Sequence, residues 1–461
     1  MALVGAFIMP HPPIIIPSVG NGEEKKIEKT AQAYRKAAGQ IAELKPETIV
    51  VTTPHSVMYA DYLHISPGER ARGSFRRFGA EGASEEFTYD TEFVDALTAE
   101  AGSAEIPAGT FGEKDPSVDH GTLVPLTFVN EVYKGYRLVR CSISGLGPQV
   151  HYEFGRCIAR TAEKLNRRIV LIASGDLSHK LTEDGPYGYA KEGPLFDRQV
   201  TEAMKSGDFL RFLTFDGEFC EAAAECGLRS FQIMAGAFDN TAVKPDSLSY
   251  EGPFGVGYAV CSFLPTGPDK ARNIEEQYEN WKNESMKKRR ESEDEYVRLA
   301  RISLETWVKN GKPASLPQGL SDGLMKNRAG VFVSLKKDGE LRGCIGTISP
   351  VRKNIAEEIL HNAVSAGVHD PRFEPVTADE LNDLVYSVDV LGEPEPIETI
   401  DELEVKRYGV IVSRGDRSGL LLPNLAGIDT PQQQVEIALR KGGIRQDEPF
   451  HMERFEVVRH K

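Results

Sequence analysis

Five of the ten histidines sit in short, unusual contexts: Met9-Pro10-His11-Pro12-Pro13, Thr53-Pro54-His55-Ser56, Asp119-His120-Gly121-Thr122, Gly147-Pro148-Gln149-Val150-His151 and Ser174-Gly175-Asp176-Leu177-Ser178-His179. Imidazole exchanges protons near neutral pH and is the commonest metal ligand. A proline beside such a histidine fixes the backbone and narrows the direction of the ring. Gly175 and the neighbouring serines permit a tight turn that pushes His179 into a cavity. Taken singly, each of these is more often a satisfied or exposed histidine than a ligand. Taken together they suggest a metal site, because two neutral imidazoles and one carboxylate on one face of an ion leave positions open for substrate and oxygen, as in non-haem Fe(II) oxygenases. Two further histidines nearby would supply acid–base capacity. Asp176 either orients His179 or caps a turn.

The elements that must position these groups alternate along the first half. Short β-branched or apolar runs predict strands over 3–9, 48–53, 137–143, 168–173 and 255–263. Helical patterns fall at 23–44, 91–101, 152–165, 197–206 and 221–238. Strands separated by helices predict a layered α/β domain over 1–264 with a largely buried sheet. His11, His55, Asp176 and His179 all follow strand ends, where open α/β sheets place their ligands.

Residues 265–294 open with Pro and Gly, hold few aliphatic side chains, and read as a linker running into a charged helix. Beyond it, 295–461 reads as a smaller α+β domain. Its expected helices lie at 296–309, 351–366 and 431–441. Strands are expected at 384–391, 409–412, 419–422 and 453–459, and a hairpin over 330–345 turns at Asp338-Gly339.

Composition limits the function classes. The net charge is −14 with Lys287-Lys288-Arg289-Arg290 as the one basic run, which disfavours nucleic acid and anionic membranes as partners. No run approaches the ~20 apolar residues of a membrane span. The apolar opening segment lacks a basic stretch and is broken by Pro10, Pro12 and Pro13, so it reads as a buried strand and not a signal peptide. The six cysteines are scattered without a CxxC pair, as expected of reduced thiols in a cytoplasmic protein. The segment after Asp61 carries Arg70, Arg72, Arg76 and Arg77, placed to attract an anionic substrate or simply exposed on a loop.

The HPP near the N-terminus, TPHS, the DHG segment, GDLSH and the ECGLRSFQIMAGAF stretch together resemble the LigB-type, class III extradiol ring-cleavage dioxygenases and the related MEMO proteins, over residues 1–264. The resemblance implies a non-haem Fe(II) centre, with Zn or Cu as alternatives, acting on a catechol-like or other chelating small molecule. It implies His11 and His55 as imidazole ligands, Glu225 as the third ligand, His179 as acid–base residue and His120 as its neighbour. In MEMO-like relatives a cysteine occupies the region of the third ligand, and here Cys226 adjoins Glu225. A carboxylate suits Fe(II) with open positions, whereas a thiolate suits Zn or Cu(I). Glu251 is a weaker candidate, expected at the surface.

LRGCIG at 341–346, HDPRF at 369–373 and GLLLP at 419–423 resemble the AMMECR family, over 295–461. Cys344 beside Arg342 reads either as a nucleophile of lowered pKa or as a small buried residue between glycines. The fusion resembles a prokaryotic arrangement in which both families accompany a radical-SAM protein, which implies such a partner and joint action on one substrate.

Overall fold

Leu3–Met9 (β1) reads Leu-Val-Gly-Ala-Phe-Ile-Met, apolar on both faces, as a strand covered on both sides requires. In the computed structural model, which describes residues 2–80, 84–337, 339–425 and 427–461, Ala6 and Ile8 enter one hydrophobic core and Phe7 and Met9 another. Thr48–Thr53 (β2), Arg137–Ser142 (β3) and Ile169–Ser174 (β4) are likewise buried along nearly their whole length. These strands pair in parallel in the order β1-β4-β2-β3. An antiparallel hairpin, Thr241–Glu251 (β5) and Tyr258–Pro268 (β6), extends the sheet to β5-β6-β1-β4-β2-β3. Met9 lies opposite Ser174 and Thr53 opposite Ser142. The strand ends are therefore level, and the loops bearing His11, His55 and Asp176 to His179 leave the same edge of the sheet.

Glu28–Leu44 (α1) and His120–Val132 (α2) cover one face, and Pro148–Lys164 (α3) and Leu228–Ala237 (α6) the other. The last two approach at backbone distance. A Cβ on Gly155 would fall 1.8 Å from the Ile233 carbonyl oxygen, and one on Gly236 1.8 Å from that of Tyr152. Glu192–Ser206 (α4) and Gly217–Ala223 (α5) lie between β4 and α6 in the chain.

The α/β class expected for this half is what the structure shows, but several elements depart from the sequence reading. The helix expected over 221–238 is two helices, α5 and α6, parted at Ala224, which sits in the left-handed region at φ 52°. α2 and β5 were not foreseen. Pro125 interrupts the helical pattern of α2, and Pro245 with mixed polar neighbours masks the alternation of β5.

The chain divides into compact units Met1–Trp281 and Lys282–Lys461. The segment 265–294 read as a linker folds as the end of β6, a short 3₁₀ turn and the helix Ile274–Ser292. The second unit holds two four-stranded sheets, all of whose pairings are antiparallel. Its main core forms where Glu295–Asn310 and Ile355–Val368 pack on the first sheet. The hairpin Val331–Lys337 with Glu340–Gly346 is present; Asp338 of its expected turn lies outside the described residues. The strand expected over 453–459 is split into His451–Phe455, in the second sheet, and Val457–His460, in the first.

Candidate metal centre

Two residues beyond β1, His11 is 2% exposed. Its backbone N–H donates to Asp176 Oδ1 at 2.7 Å, and its Nδ1 lies 2.9 Å from Ser174 Oγ. The Ser174 hydroxyl spends its single proton on the Gly121 carbonyl at 2.6 Å. Nδ1 must therefore be the protonated nitrogen, which leaves the Nε2 lone pair free. That Nε2 faces His55 Nε2 at 3.0 Å and Cys226 Sγ at 3.7 Å. The three donor atoms lie within 4.8 Å of one another. Donors around a tetrahedral ion, at roughly 2.0–2.1 Å for imidazole and 2.3 Å for thiolate, stand about 3.3 Å (N to N) and 3.6 Å (N to S) apart. The observed spacing fits one ion.

Burial and the neighbouring imidazoles push His11 well below the usual histidine range and lower His55, so both rings are neutral donors at pH 7. Burial, Asp176 and Glu225 raise the Cys226 thiol, so a metal that takes this ligand must displace a proton.

His55 is carried by the end of β2, where its N–H donates to Thr53 Oγ1 at 3.1 Å. That hydroxyl donates to Asp119, which caps α2 through Thr122 N–H. The cap brings His120, the first residue of α2, to stack on His55 with ring centres 4.1 Å apart. Burial and the two other imidazoles lower His120 to about 3. His179 is tied by Nδ1–H to the Ala224 carbonyl at 2.6 Å. A carbonyl only accepts, so the basic nitrogen of His179 is Nε2. His179 is close enough for its charge to act on His11, His55 and Asp176.

Four of the five residues expected at the site are thus gathered, and the fifth, Glu225, is not among them. Glu225 does not join the histidines; its Oε2 accepts the Leu228 N–H at 2.7 Å and caps α6. The physical reason is the break at Ala224. On a continuous helix Glu225 and Cys226 would diverge by about 100°, but in the loop the thiol turns inward and the carboxylate back onto its own helix. The freed carbonyls of Ala223 and Ala224 accept from Ser178 Oγ and His179 Nδ1. Asp176 holds the His11 backbone, and burial lifts its carboxyl to about 6. His151 is a core histidine satisfied by Ser144 N–H and the Gly147 carbonyl. Glu251 accepts from both Thr30 N–H and Oγ1, at the start of α1. Ser174 was read only as a small turn residue; its hydrogen bonds to His11 and Gly121 carry no signal in the sequence.

The four arginines after Asp61, Arg70, Arg72, Arg76 and Arg77, are all exposed. The strand Arg70–Gly73 pairs with Ser117–Val118, just before His120. Phe78 meets His120 edge-on at 5.3 Å and the Arg77 guanidinium lies 5.6 Å from the Phe78 ring. In the second unit, Cys344 N–H donates to Asp370, which Arg372 clamps, and Ser334 Oγ donates to Cys344 Sγ at 3.2 Å. Arg342 is engaged by Glu380. Among the described residues, no helix is long and apolar enough to cross a membrane.

The chain matches the family model described as the catalytic LigB subunit of aromatic ring-opening dioxygenase over residues 5–261, and that of AMMECR1 over residues 297–460. A protein of Clostridium acetobutylicum is 42% identical over 478 aligned residues and covers 100% of both chains. A Thermotoga maritima protein is 48% identical over 171 residues, 37% of this chain and 98% of its own. Among solved structures, a Pyrococcus horikoshii protein at 33% identity covers 36% of this chain and 88% of its own, with a TM-score of 0.34. One from Escherichia coli K12, at 15% identity, covers 56% and 99% with a TM-score of 0.37.

Proposed function

The chain belongs to the family of the catalytic LigB subunit of aromatic ring-opening dioxygenase, with an AMMECR1 domain following, and from that premise we propose that its first unit holds one transition metal through His11, His55 and Cys226 and binds a chelating small molecule there. The observation that carries the reading is the convergence of His11 Nε2, His55 Nε2 and Cys226 Sγ. A bound divalent ion would supply Lewis acidity, lowering the pKa of a hydroxyl that coordinates it. His179 Nε2 accepts that proton, its ring held in one tautomer by the Ala224 carbonyl. His120, kept neutral by burial beside His55, adds no positive charge next to the ligand set.

The donor set argues against simple transfer of the ring-cleaving mechanism. A thiolate in the third position favours softer ions such as Zn or Cu(I), where a carboxylate would favour Fe(II) with open positions for oxygen. We therefore favour ligand binding and deprotonation over ring cleavage. The family match favours the second reading, extradiol cleavage on Fe(II), and the retained His179 and His120 are consistent with it.

Metal content separates the assignments. Purified protein should load about one metal per chain. Cys226→Ser should weaken binding at least tenfold, as loss of a ligand requires, and Glu225→Gln should leave it within a few-fold of wild type. The reverse ranking would install Glu225 and restore the oxygenase reading. Oxygen uptake by the reduced, iron-loaded protein over a panel of catechols then decides between binding and cleavage.

A further inference from the structure

Pro125 lies inside α2, five residues after His120. Proline has no N–H, so the carbonyl of the residue four earlier loses its helical donor, and the ring pushes that carbonyl off the helix axis. The residue four earlier is Gly121. Its carbonyl is the group that accepts the Ser174 hydroxyl at 2.6 Å. Having spent its proton there, Ser174 Oγ can only accept from His11 Nδ1 at 2.9 Å. His11 Nε2 is then bare, and it faces His55 and Cys226. We propose that Pro125 is a positioning residue for the metal centre: the helix defect it creates fixes, through Gly121 and Ser174, which nitrogen of His11 is offered as a ligand.

The surroundings fit this role. Ser174 is fully buried and His11 nearly so, so no solvent competes for the relay. Gly121 must be a glycine for its carbonyl to sit there, since a Cβ would fall 2.3 Å from Thr53 Oγ1. A hydroxyl free to rotate would serve either tautomer of His11. One committed to a carbonyl serves only the Nδ1–H form.

The inference rests on His11 being a ligand, and its test separates the two ideas. In metal-free protein labelled with ¹⁵N-histidine, the nitrogen shifts of His11 report its tautomer without any metal. Wild type should show Nδ1–H alone. Ser174→Ala should show a mixture, and Ser174→Thr, which keeps the hydroxyl, should restore the single form. Pro125→Ala returns an N–H to the Gly121 carbonyl and draws it toward the helix axis. It should raise Tm, because proline is costly inside a helix, while weakening Zn(II) binding in a chelator competition about tenfold. A merely structural proline would leave the Zn(II) affinity unchanged as Tm moves, and that result overturns the proposal. So does a wild-type His11 carrying its proton on Nε2. Should wild type show Nδ1–H and yet bind no Zn(II), the relay stands and the metal assignment falls.

Discussion

At the residue scale, the centre is defined by which atom each side chain can offer. His11 and His179 both have Nδ1 committed, to Ser174 and to the Ala224 carbonyl, so both present Nε2. The Nε2 of His11 is placed beside His55 and Cys226, and that of His179 is the one proposed to accept a proton. Of the nearby carboxylates, Asp119 is held by Thr53, Thr122 and Arg140, and Asp176 accepts the His11 backbone N–H through Oδ1 while its Oδ2 lies 3.9 Å from His11 Nε2. Arg77 makes no ion pair among the described residues, and its charge reaches His55 and His120. A chelating ligand with an anionic group on its outer side should therefore bind better than a neutral one. Titrating Co(II)-loaded protein with catechol-4-sulfonate and with catechol should give a several-fold preference for the sulfonate, weakened by salt and lost in Arg77→Ala. Equal affinities in wild type would assign Arg77 to solvent.

At the element scale, the decisive piece is the loop joining α5 to α6. It carries the thiol of Cys226, the carbonyl that orients His179 and the carboxylate that caps α6, within three residues. It is pinned against the turn after β4 by glycine on glycine. A Cβ on Gly175 would lie 2.1 Å from Gly227 Cα, and one on Gly227 3.0 Å from the Asp176 carbonyl oxygen. At Gly175 the obstacle is backbone, which cannot swing aside; at Gly227 the tip of the Phe231 ring stands closer still, at 2.5 Å. Gly175→Ala should cost about 1–3 kcal/mol of stability and should part Cys226 from His11. Thermal unfolding and metal titration should consequently fall together. Full metal affinity in a destabilised Gly175→Ala would show that the ligand loop does not depend on this contact.

At the scale of the whole molecule, each unit has its own core, and a net charge of −14 makes carboxylates the main source of pH dependence. Asp197 on α4 is the most telling of them. It is 1% exposed and accepts from Ser178 N–H and Tyr250 OH, yet burial lifts its carboxyl to about 7. Unfolded, an aspartic acid titrates near ~3.9. The folded value is the higher one, so its contribution to stability is complete below about pH 4 and is lost as pH rises through about 7, with a slope of at most ~1.4 kcal/mol per pH unit. Asp197→Asn should flatten urea-unfolding stability between about pH 4 and about pH 7 relative to wild type. An unchanged pH profile would mean that Asp197 is already ionised at the lower end. In the second unit, the buried carboxylate of Glu358 accepts from Thr347 Oγ1, Val351 N–H and Arg352 N–H and so staples the loop before Ile355–Val368.

Much of this was legible in the residues. Runs of apolar and β-branched residues located β1 and β2 to the residue, because a strand buried on both faces is built mainly from such side chains. The histidines at strand ends marked the site, since parallel strands bring their C-terminal ends to one edge whatever their separation in sequence. His151 shows the limit of that reasoning: an equally unusual context produced a core histidine, because it falls within a helix, where Ser144 and Gly147 satisfy it. Which neighbour turns toward the histidines was beyond the sequence. Glu225 and Cys226 are neighbours, and only the left-handed turn at Ala224, held by contacts from a loop some fifty residues earlier in the chain, decides which of them faces the histidines. The same holds for Pro125, whose helix the sequence did not reveal. Its meaning depends on a strand end that tertiary packing sets beside it, and a hydrogen bond across that distance leaves no periodicity to read.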